Sequence, residues 1–394
     1  MKSNWEIRPL GELVKFSSGG TPSKKNPDYW NGTIPWISAK TMKDERVSTS
    51  DLMITEEGLA SGSKLAPIGS LLLLTRGSGL FNGIPLCIVE KPVAFNQDVK
   101  CIESCNDVSS KFIFYWLKSQ EEYLRAKLEV TGIGAGKFDT KFLQELNVPI
   151  PCKEERDKIV SIAESISKKI IINTKINDNL YEMVNAYYIS LFKDAECKLT
   201  TIGSYAERIF SGGTPTTSNG AYWDGAFSWF SSGETRNRFV ISTEKTITQA
   251  GIDNSSTKLA TKHDIVMASA GQGFTRGQTS MLLLDTYVNQ SVIVIHAERK
   301  VEPYLFWNLA TRYEELRAIS DSSSIRGSLT TKMISAFEIP HADEVSLQVF
   351  SDFAWSVIPQ IENNLLENER LTAMRDSLLP KLMSGEIDVS DIEI

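Results

Sequence analysis

The chain has 394 residues, of which 41% are hydrophobic and 23% charged, a composition typical of a globular protein with two to three domains. Its longest apolar runs, such as residues 71–74 and 292–295, are too short to span a membrane, and the N-terminus lacks the apolar stretch of a signal peptide. The five cysteines are odd in number and form no Cys-x-x-Cys pair. We therefore expect a cytoplasmic protein with reduced thiols, no membrane partner and no metal site.

The net charge of −7 lies at the C-terminal end. Residues 344–394 carry 10 acidic and 3 basic side chains, which accounts for the whole net charge, so residues 1–343 are neutral. A neutral protein does not bind the phosphate backbone of nucleic acid strongly on its own. If the chain binds nucleic acid, we expect a partner protein to supply part of the contacts with the phosphate backbone.

Residues 1–153 are predicted to form an α+β globule that Pro151 closes. Short strand-like runs alternate there with helix patterns such as residues 112–128. Near the start stands a Gly-Gly-Thr-Pro segment at residues 19–22, followed by Trp30 and Trp36. We interpret the segment as a turn in which glycine adopts a positive φ, although a phosphate-facing loop of backbone amides is the functional alternative.

Residues 154–196 are predicted to form a long central spacer helix, from about Glu154 to Phe192. Its seam residues recur every seven positions, at Ile159, Ile166, Asn173, Leu180 and Tyr187, and further seam positions are filled by Ile162, Ile176 and Met183. Heptad spacing is typical of helices that pair along one stripe. A polar residue such as Asn173 either fixes the register of such a pair or faces solvent at the helix edge.

Residues 197–343 repeat the first globule with a period near 193 residues. A second Gly-Gly-Thr-Pro segment at residues 212–215 precedes Trp223 and Trp229. Further matches keep the same order along the chain, and they pair Lys64 with Lys258, Gly77 with Gly271, Asn96-Gln97 with Asn289-Gln290, and Arg125 with Arg317. The two globules are therefore predicted to share one fold.

Residues 344–394 are predicted to form a second long helix, from about Glu344 to Met383, and an acidic tail. The heptad positions are Val357, Asn364, Leu371 and Leu378, so Asn364 occupies a position equivalent to that of Asn173. Pro359 is expected to kink this helix or to delay its start.

The two helices are expected to pair in antiparallel orientation. A helix of about 40 residues carries the chain about 60 Å from the first globule, and the second helix must bury its apolar stripe on the way back. The predicted fold is α+β, with two similar α/β globules separated by two long antiparallel helices that form a coiled-coil spacer. The internal repeat implies a pseudo-two-fold relation between the halves.

The duplicated Gly-Gly-Thr-Pro…Tyr-Trp-x-Gly segments, each followed by a globule and a long helix, resemble the specificity (S) subunits of type I restriction-modification enzymes. The ending LTAMRDSLLPKLMSGEI is similar to the C-terminal helix signature of that family, whereas the first helix ends without it. The resemblance implies two target-recognition domains that read the halves of a bipartite, asymmetric site in double-stranded DNA.

The resemblance also implies partners. It predicts assembly with two methyltransferase subunits and with restriction subunits that act as translocase and endonuclease. S-adenosylmethionine and ATP are expected on those subunits, and this chain is expected to bind no cofactor and to have no catalytic residue. Ile170, Ile171, Leu365 and Leu366 cannot all face the helix seam, so we expect the outer face of the helix pair to dock the methyltransferase.

Residues that both globules share are expected to serve the scaffold, because the globules should read different sequences. Trp30, Trp36, Trp223 and Trp229 are interpreted as core residues. Asn96, Gln97, Asn289 and Gln290 are candidates for contact with adenine, and a turn is the alternative interpretation.

Residues that differ between the globules are the stronger candidates for DNA contact. Arg76 lies in a Gly-rich segment whose counterpart carries Gln272 and Arg276, and arginine or glutamine there could contact base edges. Cations in two later Gly- and Ser-rich segments are expected to contact phosphate, namely Lys137 and Lys141 in the first globule and Arg326 and Lys332 in the second. The segments after the paired tryptophans add Lys40, Lys43, Arg236 and Arg238.

Two other classes of function remain. A stand-alone methyltransferase is disfavoured because the sequence contains no S-adenosylmethionine motif, and the three histidines, His263, His296 and His341, are scattered. A coiled-coil scaffold with two protein-binding heads that bind no DNA is the alternative, and the neutral charge of residues 1–343 is its best support.

Overall fold

The computed structural model describes residues 5–105, 107–132, 134–192, 198–271, 273–322 and 327–392. The chain forms two compact units, Met1–Lys169 with Arg370–Ile394, and Ile170–Glu369. Each unit joins one globule to one part of each of two long helices. None of the described helices is long and apolar enough to cross a membrane.

The first globule, residues 5–150, consists of short strands and helices. In chain order its elements are β1 (Glu6–Pro9), α1 (Leu10–Leu13), β2 (Val14–Ser18), β3 (Trp30–Ile37), β4 (Arg46–Val47), β5 (Met53–Ile54), α2 (Glu56–Ala60), β6 (Lys64–Ala66), β7 (Leu71–Leu74), β8 (Arg76–Gly77), β9 (Leu86–Val89), β10 (Val93–Phe95), β11 (Val99–Ser104), α3 (Ser110–Ser119), α4 (Glu121–Ala126), β12 (Glu129–Val130), β13 (Gly136–Lys137), α5 (Thr140–Gln144) and β14 (Asn147–Ile150).

Four sheets organise this globule. The largest has the strand order β2-β11-β7-β9-β4, the next β5-β3-β10-β6, and two smaller ones join β1 to β14 and β12-β13-β8. Strands β3 with β10 and β4 with β9 pair in parallel, and the other pairs are antiparallel. Mixed pairing with helices on the sheets places the globule in the α+β class.

The core of the first globule lies between the five-stranded sheet and α3. All four leucines of β7 are buried, because this strand lies at the centre of its sheet and is covered on both faces. Helix α3 begins where the Ser109 hydroxyl accepts a hydrogen bond from the backbone N–H of Phe112 at 3.2 Å. Its residues 112–117 are all buried, so this helix is surrounded by protein.

The second globule, residues 198–340, follows after the first long helix, α6 (Lys153–Phe192), and precedes the second, α12 (Glu344–Ser384). Its elements are β15 (Leu199–Thr201), α7 (Ile202–Tyr205), β16 (Ala206–Ser211), β17 (Trp223–Phe230), β18 (Phe239–Val240), β19 (Lys245–Ile247), α8 (Gln249–Asp253), β20 (Lys258–Ala260), β21 (Ile265–Ala268), β22 (Thr279–Leu282), β23 (Thr286–Val288), β24 (Val292–Ala297), α9 (Glu302–Ala310), α10 (Tyr313–Ser322), α11 (Thr331–Ser335) and β25 (Glu338–Pro340).

The sheets of the second globule match those of the first strand for strand. Their orders are β16-β24-β21-β22-β18, β19-β17-β23-β20 and β15-β25, which repeat the first globule's five-, four- and two-stranded sheets. The prediction that the repeat encodes one shared fold is confirmed. The sheet β12-β13-β8 has no counterpart among the described residues of the second globule, where residues 272 and 323–326 are not described.

Both long helices have the predicted extent to within one residue. Helix α6 runs from Lys153 to Phe192 and α12 from Glu344 to Ser384. The Asp343 carboxylate accepts hydrogen bonds from the backbone N–H groups of the second and third residues of α12, which fixes its start. Because α12 continues through Pro359, this proline does not delay the start of the helix.

The globules bury apolar faces of both helices. In the first unit, Ile159 and Ala163 of α6 join the globule's core together with Leu379 and Leu382 of α12. In the second unit the core includes residues from both helices, namely Tyr181, Val184, Tyr188, Phe192, Leu347, Phe350, Ala354, Val357, Ile358 and Ile361. Helix stability therefore comes from tertiary packing in each unit.

The two helices pair in antiparallel orientation within the second unit. Asn173 of α6 contacts Asn368 of α12 at 3.0 Å, and Asn177, one turn further along α6, contacts Asn364 at 2.8 Å. The contacts advance along α6 as they recede along α12, so the chains run in opposite directions. The predicted α+β class with two similar globules and two long antiparallel helices is confirmed.

The heptad assignment of the seam was wrong at two positions. Ile176 and Met183 are 41% and 45% exposed, whereas Asn177 and Val184 are buried in their place. A straight α-helix has 3.6 residues per turn, so its buried stripe drifts away from a strict seven-residue repeat. In the second unit, the buried positions of α6 therefore lie one residue further along the chain than predicted.

Candidate nucleic-acid interface

The glycines of the duplicated Gly-Gly-Thr-Pro segments allow the backbone to pass close to a neighbouring strand. A Cβ atom on Gly19 would lie 2.0 Å from the carbonyl oxygen of Phe95, and one on Gly212 would lie 2.0 Å from that of Val288. Neither glycine has a positive φ. Residues 19–22 and 212–215 form no turn, so the turn interpretation with its positive φ was wrong, and the reason for glycine is lack of space.

The threonine of each segment binds the glutamine of the shared Asn-Gln pair. Thr21 Oγ1 donates to Gln97 Oε1 at 2.7 Å, and Thr214 Oγ1 makes the equivalent bond to Gln290 Oε1. The same contact in both copies explains why these residue types recur at the same spacing. Because Oε1 of each glutamine accepts this bond, Gln97 and Gln290 stay candidates for DNA contact only through their other side-chain atoms.

The asparagines of the same pairs form turns. Asn96 and Asn289 are 7% and 8% exposed, and each side-chain oxygen accepts the backbone N–H two residues further on, of Asp98 at 3.1 Å and of Ser291 at 3.0 Å. These are Asx turns, which asparagine favours. Burial and the turn bonds favour the turn interpretation of both asparagines over contact with adenine.

The shared tryptophans support the same segments. Trp36 Nε1 donates to the carbonyl of the segment's second glycine at 3.1 Å, and Trp229 makes the equivalent bond at 3.3 Å. Both rings are buried and meet the half-buried rings of Trp30 and Trp223 edge to face, with centroids 5.4 and 5.0 Å apart. The interpretation of Trp36 and Trp229 as core residues is confirmed.

Arg76 and Lys137, both singled out from the sequence, lie directly opposite each other on paired strands. Strand β8 carries Arg76, β13 carries Lys137, and the antiparallel register pairs the two residues. Arg76 is exposed and Lys137 is half-buried, and neither forms an ion pair with another described residue. Glu129 on β12 stands opposite Lys137 on its other side.

Two cations at directly opposite positions repel each other, which costs stability in a sheet. Glu129, opposite Lys137 on its other side, offsets part of that repulsion, and a bound anion or hydrogen-bond acceptor would relieve the rest. Opposite residues project on the same face of a sheet, so Arg76 and Lys137 present at most about eight hydrogen-bond donors to one side. This arrangement is suited to a polyanion whose groups also offer acceptors, such as DNA.

The two globules can be aligned at this point through one backbone hydrogen bond. In the first globule the N–H of Phe138 donates to the carbonyl of Thr75 at 2.9 Å, and in the second the N–H of Leu329 donates to the carbonyl of Ser269 at 2.8 Å. The residue that follows Thr75 is therefore equivalent to the one that follows Ser269. In the same way, the residue that precedes Phe138 is equivalent to the one that precedes Leu329.

These equivalent positions carry different chemistry. Arg76 and Lys137 of the first globule correspond to Ala270 and Ser328 of the second. The basic pair is thus specific to the first globule, whereas the scaffold around it is shared. A difference of this kind is expected of two domains that bind different sequences.

The remaining candidates of the first globule lie on its surface. Lys40 and Lys43 are exposed in the turn that follows β3. Lys141 lies on α5, where its ammonium group is 3.8 Å from the carboxylate of Glu145 in an exposed pair. Exposed pairs of this kind are weak and easily exchanged. All three stay predictions for DNA contact.

Two arginines of the second globule have partners within the second unit. Arg236 donates to the carbonyl of Gly233 at 2.9 Å and pairs with Glu244. Arg238 lies 4.3 Å from the ring centroid of Tyr181 and contacts Asp178 at 3.3 Å, both on α6. Arg238 therefore helps to attach the globule to the helix, which weighs against its role in DNA contact.

Arg276 is only 8% exposed, and its guanidinium donates to the carbonyl of Gly327 at 2.6 Å and pairs with Asp321. Burial leaves little of this side chain to contact a base and weighs against the prediction. Lys332 is exposed on α11 and stays a candidate. Gln272 and Arg326 lie outside the described residues.

Four asparagines form a reciprocal contact between the long helices in the second unit. Asn173, which is fully buried, donates to Asn368 at 3.0 Å and to Glu367 at 2.7 Å, and Asn364 donates to Asn177 at 2.8 Å. Asn173 corresponds to Asn364 in the repeat, and Asn177 to Asn368. Asn173 thus contacts the counterpart of Asn177, and Asn177 contacts the counterpart of Asn173, as expected across a two-fold relation.

That Asn173 and Asn364 determine helix register stays a prediction. Both lie at the helix contact, but they do not bind each other. Asn177 and Asn368 were missed, although the pattern Asn-x-x-x-Asn recurs in both helices at the repeat spacing and could have identified them. Buried amides that must find specific partners favour one alignment of the pair over shifted ones.

The second globule also contains a buried acidic cluster. His296 Nδ1 is 2.6 Å from the carboxylate of the buried Asp264, and Glu302 lies nearby with 6% exposure. Burial, and then the charge of Asp264, raise the pKa of Glu302 to about 7. Among the described residues, no group of three histidine, cysteine or acidic side chains could hold a metal ion.

Comparison with known proteins identifies the class to which this fold belongs. Residues 2–182 match the family described as the type I restriction modification DNA specificity domain. The specificity subunit of the type I restriction enzyme EcoR124I/EcoR124II from Escherichia coli is 35% identical over 161 residues, which span 40% of this chain and 40% of that protein.

Two other similarities cover nearly the whole chain. The MjaIX specificity subunit from Methanocaldococcus jannaschii is 23% identical over 99% of this chain and 95% of that protein. The crystal structure of a type I restriction-modification S subunit from M. genitalium has the same fold, with a TM-score of 0.57, 16% identity and coverage of 97% and 96% of the two chains. The chain is thus similar to the type I restriction modification DNA specificity domain over residues 2–182, and to type I restriction-modification specificity subunits over nearly its whole length. The alternative of a scaffold that binds no DNA is not supported.

Proposed function

We propose that the chain is the sequence-specificity subunit of a type I restriction-modification complex, in which each globule reads one half of a bipartite, asymmetric DNA site. The observation that carries this proposal is that Arg76 and Lys137 lie opposite each other in one globule, whereas the equivalent positions of the other globule hold Ala270 and Ser328. Because the two globules share their sheets but carry different side chains at this place, we expect each globule to bind a different DNA sequence.

In the first globule, Arg76 is assigned to a base edge and Lys137 to a phosphate. A guanidinium can make two parallel hydrogen bonds to guanine in the major groove, whereas an ammonium is a point charge suited to phosphate. Their opposite placement on β8 and β13 brings a base contact and a backbone contact to the same side of one small sheet.

The long helices are assigned two tasks, to set the separation of the half-sites and to dock two methyltransferase subunits. Ile170, Ile171, Leu365 and Leu366, the side chains first chosen for docking, are half-buried within the chain. The apolar residues that α6 exposes in the second unit are instead Ile172, Ile176 and Met183, at 52%, 41% and 45%. They lie within about 40° of one another around the helix, so they form one stripe.

The chain itself is assigned no catalytic step. S-adenosylmethionine would be bound by the methyltransferase subunits, and ATP by the restriction subunits that translocate and cut DNA. The side chains of this chain would select the DNA and hold it for those subunits. We expect the complex to act in the cytoplasm.

Reconstitution with the methyltransferase subunit of the same system tests this proposal. Fluorescence anisotropy with a panel of labelled duplexes should identify a sequence that the complex binds at least about 100-fold more tightly than scrambled DNA of equal length. Methyl transfer from labelled S-adenosylmethionine should follow the same preference. The isolated chain should bind DNA weakly, because its net charge is −7.

Absence of any sequence preference in the reconstituted complex would contradict the proposal. Methyl transfer by the isolated chain would contradict the non-catalytic assignment alone. Ile176→Asp tests docking, because a charge in the exposed stripe should weaken assembly with the methyltransferase, whereas Asn179→Asp, next to the stripe, should not.

A further inference from the structure

The loop between β21 and β22 in the second globule carries a phenylalanine that lies almost wholly in solvent. Phe274 is 86% exposed, the highest value among the large exposed hydrophobic residues that the structure describes. An aromatic ring in water forfeits the stabilisation that burial would provide. Single exposed apolar residues are common, so the exposure gains meaning only from the way the loop is built.

Two side chains of α10 hold the backbone of this loop. Tyr313 Oη donates to the carbonyl of Phe274 at 2.6 Å, and Arg317 Nη1 donates to the carbonyl of Gly273 at 2.6 Å. The ring therefore projects from a supported backbone. A supported residue loses less conformational entropy on binding than one on a free loop, so it is better suited to contact a partner.

The residue that precedes the ring is Gly273, and the fold does not require glycine at this position. A Cβ atom on Gly273 would meet nothing within 4 Å, and this glycine has no positive φ, so neither space nor backbone conformation requires glycine there. A glycine next to the ring keeps the tip slim. The DNA minor groove is about 6 Å wide, and slim apolar tips are the elements that enter it.

The first globule shows that the fold does not require an exposed ring at this position. The Gly-x-Gly pairs of the two loops align Phe274 with Leu80, which is fully buried. The next residue, Phe81, is 41% exposed, and its carbonyl accepts a hydrogen bond from Arg125, the counterpart of Arg317, at 3.1 Å. Support of the loop is thus shared, whereas the fully projecting ring belongs to the second globule.

We propose that Phe274 is an apolar wedge that inserts between two base pairs in the half-site of the second globule. This inference rests on the proposed function. Insertion separates the stacked bases and kinks the duplex, and it is easiest at flexible pyrimidine–purine steps. The second globule would therefore select its half-site in part by the deformability of one base step, in place of the basic pair that the first globule presents.

The test uses the full chain assembled with its methyltransferase subunit, without S-adenosylmethionine, on the duplex that the complex prefers. The adenine analogue 2-aminopurine is placed at single positions of the second half-site other than the adenine that becomes methylated. Its fluorescence rises when stacking is lost. We expect a several-fold rise at one step with the wild-type chain, and no rise with Phe274→Ala.

Affinity provides a second readout. Phe274→Ala should weaken binding to the preferred duplex about tenfold. It should leave the slope of log Kd against log salt unchanged, because no phosphate contact is lost. Phe274→Leu, which keeps apolar bulk without an aromatic face, should be intermediate. Leu199→Ala, which shortens another side chain of the same unit that is 63% exposed, is the matched control and should change neither readout.

Phe274→Ala that keeps the 2-aminopurine signal and binds within twofold of the wild-type chain would overturn the inference. So would a wild-type complex with sequence preference that gives no fluorescence rise at any position of the second half-site. A wild-type complex without sequence preference would instead overturn the proposed function, so the two failures are distinguishable. Equal melting temperatures for Phe274→Ala and the wild-type chain would exclude misfolding as the cause of lost binding.

Discussion

The first globule presents Arg76 and Lys137 on paired strands, whereas the second presents Phe274 on a supported loop and has Ala270 and Ser328 where the basic pair would be. Around these places the two globules keep the same strand order in three sheets. The comparison indicates that the fold is the same in both copies of the repeat, whereas the residues proposed for DNA contact differ between them. The threonine–glutamine and tryptophan–glycine hydrogen bonds recur in both globules, whereas the side chains proposed for DNA contact do not.

We expect equivalent substitutions in the shared scaffold to lower the stability of both globules by similar amounts. Gly19→Ala and Gly212→Ala each place a Cβ atom 2.0 Å from a carbonyl oxygen of a neighbouring strand. Because backbone must move, we expect each substitution to lower the free energy of unfolding by about 3 kcal/mol or more. Thermal unfolding followed by circular dichroism measures the loss.

Gly220→Ala is the matched control for these two substitutions, because a Cβ atom on Gly220 meets nothing within 4 Å. It should change stability by less than about 1 kcal/mol. A large loss in only one of the two globules would show that they do not share this scaffold contact.

The contact residues should act on one half-site each. Arg76→Glu removes a donor and adds repulsion toward phosphate, so we expect DNA binding to weaken about 100-fold, with relaxed preference confined to the first half-site. Binding of the reconstituted complex to duplexes with one half-site scrambled at a time measures this. Lys91→Glu makes the same charge change at another exposed position of the first globule and should have a small effect. Equal relaxation at both half-sites would contradict independent readers.

The buried carboxylates distinguish the cores of the globules. Glu302, which begins α9, corresponds to Ser110 at the start of α3. Because its pKa is raised from 4.5 to about 7, the folded chain holds this proton more tightly than the unfolded chain. Stability is therefore lost as the pH rises through that window, and the loss is complete above about pH 7.

Glu302→Gln should remove this loss. We expect the variant to be more stable than the wild-type chain by about 2 kcal/mol at pH 8 and nearly equal to it at pH 4.5. Urea unfolding at the two pH values measures the difference. A stability difference that does not depend on pH would show that Glu302 is not titrating in this range.

The helix contact should show a smaller, pairwise effect. Asn177→Leu or Asn364→Leu alone leaves the other side-chain amide without this hydrogen bond, and the double substitution removes both polar groups. We expect a coupling free energy of about 1 kcal/mol in a double-mutant cycle measured by urea unfolding. Additive losses would show that the two amides do not interact in solution.

Sequence patterns predicted the large features because these depend on many residues at once. The bounds of α6 and α12 followed from long apolar stripes that begin shortly after Pro151 and Pro340, and the shared fold followed from a repeat that keeps its order over the whole chain. The seam positions Asn177 and Val184 did not follow, because a strict seven-residue spacing assigns their neighbours Ile176 and Met183 instead.

The site could be predicted only residue by residue. Arg76 and Lys137 were candidates on their own, but their pairing depends on two-residue strands that no periodicity indicates. Arg276 was a candidate because it follows glycines, yet it is buried against Asp321 and Gly327, which come from distant segments. Phe274 was not considered, because sequence alone does not tell a projecting ring from a buried one.

The most direct measurement of the central claim is the pattern of DNA methylation in cells that carry the whole restriction-modification system, with and without this chain. The account predicts a methylated bipartite motif whose two halves differ, present only with the chain, and with only one half altered by Arg76→Glu. A palindromic motif, or the same methylation pattern in both kinds of cell, would contradict it.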